Sequence, residues 1–117
     1  MRVVIFFMSA NFIKLSSRER LEELFEQSHE KPVLLFKHST TCPISTGVYE
    51  EVSRVNGDIN LIVMQSARDI SNAVAEKTGI RHESPQAIVL KNGAPVYHAS
   101  HFDVSAEAIN GELRAEN

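Results

Sequence analysis

Val33-Leu34-Leu35-Phe36-Lys37-His38-Ser39-Thr40-Thr41-Cys42-Pro43-Ile44-Ser45 is the stretch on which the fold turns. Its first four residues are an unbroken apolar run of strand length, which suits a central strand buried on both faces. Polar residues follow, and then Pro43, whose missing N–H is not needed in the first turn of a helix. Ile44, Val48, Val52 and Val55 recur at helical spacing and predict a helix over about residues 43–56. A buried strand therefore feeds a helix whose first turn carries the single cysteine of the chain.

Working outward, Phe12-Ile13-Lys14-Leu15 is a short strand, and Ser16 with Glu19 forms a capping-box pattern that opens a helix reaching about residue 28. Leu21, Leu24 and Phe25 line one face of that helix, and Pro32 lies beyond its end. After the turn signal Asn56-Gly57-Asp58 come a strand over residues 59–64, a helix over 69–77 and Gly79 as its C-terminal cap. Gln86-Ala87-Ile88-Val89-Leu90 and Val96-Tyr97-His98-Ala99 flank Asn92-Gly93, a strong hairpin signal, and a last helix runs over about residues 105–114. The predicted order is β-α-β-α-β-α-β-β-α. In the first part of the chain each helix between strands is expected to cross over and deliver the next strand in parallel, whereas the hairpin makes the last pair antiparallel. The expected class is α/β, with a mixed central sheet flanked by helices on both faces.

A chain of 117 residues has the size of one domain, taken here as 1–117 with residues 1–10 as an N-terminal extension. With 43% hydrophobic and 23% charged residues it is neither disordered nor a membrane bundle. A net charge of -3 gives no electrostatic footprint for nucleic acid, which usually shows itself as a strongly basic face. One cysteine cannot form an internal disulfide, which points to the reducing cytosol. Residues 1–10 resemble the front of a signal peptide, but the apolar run of about seven residues is at the short limit for export and far below the roughly 20 that span a bilayer. An extension packed on the domain, or a true start at Met8, is the preferred reading. Of the five histidines, His98 and His101 invite a metal, but residues three apart on a strand face opposite ways, and no metal site is expected.

At the start of a helix, the Cys42 sulfur would lie near unpaired N–H groups and the positive end of the helix dipole. Such sites bring a cysteine from about 8.5 to between about 3.5 and 7.5 and so favour the reactive thiolate. The alternative is a small buried hydrophobe, but the polar and helix-initiating neighbours favour the nucleophile. In a Cys-x-x-Cys motif the second cysteine resolves the mixed disulfide; here the fourth position is Ser45, so an outside thiol has to do it. The Ser45 hydroxyl either bonds the thiolate or caps backbone N–H groups in the first turn of the helix. His38 either supports the thiolate as an imidazolium or is an exposed loop residue, the second being preferred. A cis bond before Pro85 would present the Ser84 backbone to an extended substrate, although only about 5% of X–Pro bonds are cis.

Residues 37–45 together with His82-Glu83-Ser84-Pro85-Gln86 resemble the monothiol bacilliredoxin family of the bacillithiol system, over about residues 12–113. The resemblance implies a thioredoxin fold, Cys42 as the attacking thiol, Pro85 as a cis-proline, and Thr41, Pro43, Ser45, Ser84 and Pro85 as the substrate-binding residues. It also implies the reaction, in which bacillithiol is removed from mixed disulfides on cytosolic client proteins, passes onto Cys42 and is released by another thiol. Bacillithiol is then a co-substrate, no metal or bound coenzyme is required, and the protein is expected to be a cytoplasmic monomer without nucleic-acid or membrane partners. Two alternatives stand beside this reading. One is a monothiol glutaredoxin-like glutathione or iron-sulfur protein, which would carry Gly and Phe in place of Pro43 and Ile44. The other is a non-enzymatic binding or stress protein in which the cysteine is idle.

Overall fold

In the computed structural model, which describes residues 9–114, the apolar run at Val33 becomes the middle strand of a five-stranded sheet. The elements are β1 (Ala10–Lys14), α1 (Arg18–Gln27), β2 (Val33–His38), α2 (Pro43–Val52), β3 (Gly57–Val63), α3 (Arg68–Thr78), β4 (Gln86–Lys91), β5 (Ala94–Ser100) and α4 (Ala106–Arg114). A short 3-10 turn, His101–Asp103, was not foreseen between β5 and α4. The order of strands and helices is the expected one, and the sheet order is β1-β3-β2-β4-β5. Most of the signal-peptide-like stretch lies outside the described residues; its last residue, Ala10, opens β1.

Strand side chains alternate between faces, and β2 shows why it is central: Leu34 and Phe36 are buried on one face, Val33 and Leu35 on the other. Against the first face pack Val48 and Val52 of α2 and Ile109 of α4. Against the second pack Leu21 and Leu24 of α1 and Ile70 and Val74 of α3. Helices on both faces thus each contribute an apolar stripe to a separate half of the core.

Three details differ from the sequence expectation. The cap of α1 is Ser17, whose Oγ accepts the Arg20 N–H at 3.1 Å, not Ser16. The Leu15 N–H still bonds to the Leu61 carbonyl, so the chain is in the β1–β3 ladder one residue beyond β1 and cannot turn earlier. α2 stops at Val52, because the Ser53 hydroxyl donates to the Tyr49 and Glu50 carbonyls and closes the last turn; Val55 reaches the core from the turn that follows. Ile44, expected on the buried face of α2, is 38% exposed.

The pairing that the sequence leaves open matters most. β1, β2 and β3 are parallel as expected, but β4 runs antiparallel to β2, with Lys37 opposite Gln86 and Val33 opposite Leu90. A helical connection imposes parallel pairing only if the chain comes back to the end where the previous strand began. Here Gly79, in the left-handed conformation at φ 74°, ends α3, and the segment after it leaves the chain where β2 finishes. The hairpin is as predicted: Asn92 and Gly93 have φ 53° and 75°, the positive pair a type I′ turn needs.

Candidate active site

Residues 39–42 carry the chain from the sheet into α2. Cys42 is the N-cap residue, with extended backbone at φ -98° and ψ 120°, and Pro43 follows at the first helical position. The residue is half-buried. The Ser45 backbone N–H, then that of Ile44 and the Ser45 hydroxyl, holds the thiol below the usual cysteine value, against an upward push from burial. The sulfur closes no capping hydrogen bond. The same N–H groups bind more strongly once it carries a full charge.

Ser45 is fully buried, at 0% exposure. Its oxygen accepts the Ser39 N–H at 3.4 Å. Its hydroxyl also helps to lower the pKa of the Cys42 thiol, and the N–H it accepts belongs to the loop, not to the first turn of the helix. Thr41 and Pro43 are exposed on either side of the cysteine.

Gln65, just beyond β3, braces this loop. Its Nε2 donates to Ser39 Oγ at 2.9 Å and to Thr41 Oγ1 at 3.2 Å, and its Oε1 accepts the Thr40 N–H at 3.2 Å. Sequence reading missed it, because a glutamine in a polar turn carries no periodicity or motif.

The antiparallel β4 supplies the other wall. Since Gln86 pairs with Lys37, the residues before β4 lie at the end of the sheet from which the Cys42 loop leaves. The Ser84–Pro85 bond is cis. The Pro85 carbonyl accepts the His101 N–H at 2.9 Å, which ties this wall to the 3-10 turn. Ser84 Oγ is buried and has no hydrogen-bond partner among the described residues. Phe102, in the 3-10 turn beside Gly47 of α2, is 76% exposed.

His38 fits neither sequence reading. Its ring packs at centroid distances of 6.0 Å from Phe36 and 4.9 Å from Tyr49, and its Nδ1 is buried without a partner among the described residues. Burial lowers its pKa, so it is a neutral ring in the wall of the core, not an imidazolium and not a free loop residue. Among the described residues no three His, Cys, Asp or Glu side chains come together as a metal site, and no helix is long and apolar enough to cross a membrane.

A family model described as monothiol bacilliredoxin BrxC matches residues 13–109. Among solved structures, a thioredoxin-fold protein described as a candidate oxidoreductase superposes with a TM-score of 0.78 at 35% identity, covering 86% of this chain and 92% of that one. Thioredoxin from Schistosoma mansoni gives a TM-score of 0.63 at 20% identity, covering 88% and 93%. Thioredoxin from Trypanosoma brucei brucei gives 0.69 at 10% identity, covering 97% and 96%. The last two speak for the fold alone, and that fold is the thioredoxin fold.

Proposed function

The chain belongs to the monothiol bacilliredoxin family, and on that premise we propose that it removes bacillithiol from mixed disulfides on cytosolic client proteins, with Cys42 as the nucleophile. Family and fold together make it a thiol oxidoreductase of thioredoxin type. The observation that carries the finer reading is the placement of Cys42 as the N-cap of α2 with a fully buried Ser45 where a resolving cysteine would be.

The Cys42 thiolate attacks the bacillithiol sulfur of a client mixed disulfide; the client sulfur leaves as a thiolate and takes up a proton. The new Cys42–bacillithiol disulfide has no second cysteine in the chain to attack it. A thiolate from outside attacks the bacillithiol sulfur, carries it away as a new disulfide and returns Cys42 as a thiolate. Each step exchanges one disulfide for another, and each is favoured by a low pKa of the departing thiol. Thr41 and Pro43 flank the sulfur, and Ser84 and Pro85 form the surface against which the client chain is held. No metal or bound coenzyme enters this sequence.

The test is mass spectrometry of the protein incubated with a bacillithiolated client and, in parallel, a glutathionylated one. The proposal expects the bacillithiol adduct on Cys42 to form faster than the glutathione adduct, and none on Cys42→Ala. A faster glutathione adduct would favour glutathione as the partner thiol, and no adduct from either would leave the thioredoxin-like binding protein as the surviving reading.

A further inference from the structure

Lys37, 1% exposed, is a buried cation that the exchange chemistry does not use. It extends β2 past the apolar run and lies on the same face as Leu35, away from α2 and under α3. Its Nζ is 3.3 Å from the Ser71 carbonyl of α3 and 3.1 Å from His82 Nδ1. The Ser71 hydroxyl lies 3.1 Å from the same Nδ1. An ammonium only donates, so with Lys37 charged Nδ1 is the acceptor and the ring proton sits on Nε2. Burial brings Lys37 down to about 8, which still leaves it charged at neutral pH.

A charge is held in such a place only if its hydrogen bonds are made. The partner it finds is three residues from Pro85, in the segment that forms the second wall of the site. We propose that Lys37 is a positioning residue for thiol exchange: by donating to His82 Nδ1 and the Ser71 carbonyl it holds residues 82–85 at the Cys42 end of the sheet, and it does so while His82 is neutral. The proposal rests on the exchange reading of Cys42.

Several groups face His82. Lys37 comes from β2, Arg68 and Ser71 from α3, and Glu83 from its own segment; Glu83 in turn lies near Ser100, His101 and Arg81, which hold its carboxyl below the usual value. Burial first, then Lys37 and Arg68, lower the His82 pKa, with Glu83 opposing them. A proton on Nδ1 would remove the acceptor and place two cations in contact, so the anchor opens as pH falls below the ordinary histidine range.

Two rates on the full chain between pH 5 and 8.5 test this. Alkylation of Cys42 by iodoacetamide asks only for a thiolate. Exchange with a peptide whose cysteine is a mixed disulfide with 2-mercaptoethanol also asks for the second wall. Lys37→Met is expected to lower exchange about ten-fold, through KM, and to leave alkylation unchanged. In the wild type the ratio of exchange to alkylation falls toward acid pH, and His82→Asn, whose amide oxygen replaces Nδ1 without titrating, flattens that fall. Unchanged exchange in Lys37→Met, or equal losses in both rates, overturns the proposal. Should Lys37→Met fail to fold, the His82→Asn profile decides, and an acid fall like that of the wild type overturns it. Wild-type protein that alkylates normally but does not exchange with the peptide at any pH removes the exchange reading itself, and this inference with it.

Discussion

Ser45 is where the character of the site can be changed by a few atoms. Ser45→Ala keeps the backbone N–H that acts most strongly on the thiol, so Cys42 should remain below the ordinary cysteine value in an alkylation profile. It also leaves the Ser39 N–H without its long hydrogen bond, and denaturant unfolding should show a loss of about 1 kcal/mol. Ser45→Cys should close an internal disulfide with Cys42 on oxidation, read as a loss of two hydrogens by mass spectrometry and the disappearance of the mixed adduct. At this scale the sequence was legible where residue type and flanks agree: a cysteine before a proline, between a buried strand and a helix, has few other meanings. Lys37, Gln65 and His82 were not legible. A lysine at the end of an apolar run reads as the point where burial stops, and its partners lie 34 and 45 residues away.

The helix caps and the strand pairings are the next scale. Ser17→Ala should destabilise the protein by about 1 kcal/mol while Ser16→Ala has little effect, because only Ser17 accepts an N–H at the start of α1; chemical denaturation of the two variants checks the assignment. A Cβ on Gly79 would meet nothing within 4 Å. The cost of Gly79→Ala is therefore one of backbone alone, about 1 kcal/mol from the left-handed φ. The element order and the hairpin could be read because periodicity, caps and Asn92-Gly93 are local signals. The direction of β4 could not, since it depends on where residues 79–85 set the chain down, and no local pattern records that. Yet this pairing is what puts Ser84 and Pro85 at the end of the sheet from which the Cys42 loop leaves.

For the molecule as a whole, four groups with lowered pKa values give stability a single slope over most of the pH range. Lys37, His38, His82 and Cys42 all have lowered pKa values, by burial in the first three and by the Ser45 N–H in Cys42. In each case the unfolded chain binds more protons between the folded and the ordinary value, so stability rises with pH there. The contributions of His38 and His82 are complete above the ordinary histidine value of 6.5 and are lost as pH falls through their lowered ones. That of Cys42 is complete above 9.0 and is lost in the same direction. Lys37 adds to the rise between about 8 and 10.5, and Tyr97, raised by burial, opposes it above 10. Calorimetry should find Tm climbing from pH 5.5 to 9, and a flat or falling Tm would contradict this set of shifts. Ser45 also has a consequence for the kinetics of the whole cycle. Because nothing inside the chain can discharge the captured thiol, both halves of the cycle are second order. Diluting the reductant should slow turnover in proportion, and the standing fraction of capped protein becomes a gauge of how fast adducts arrive relative to how fast free thiol clears them.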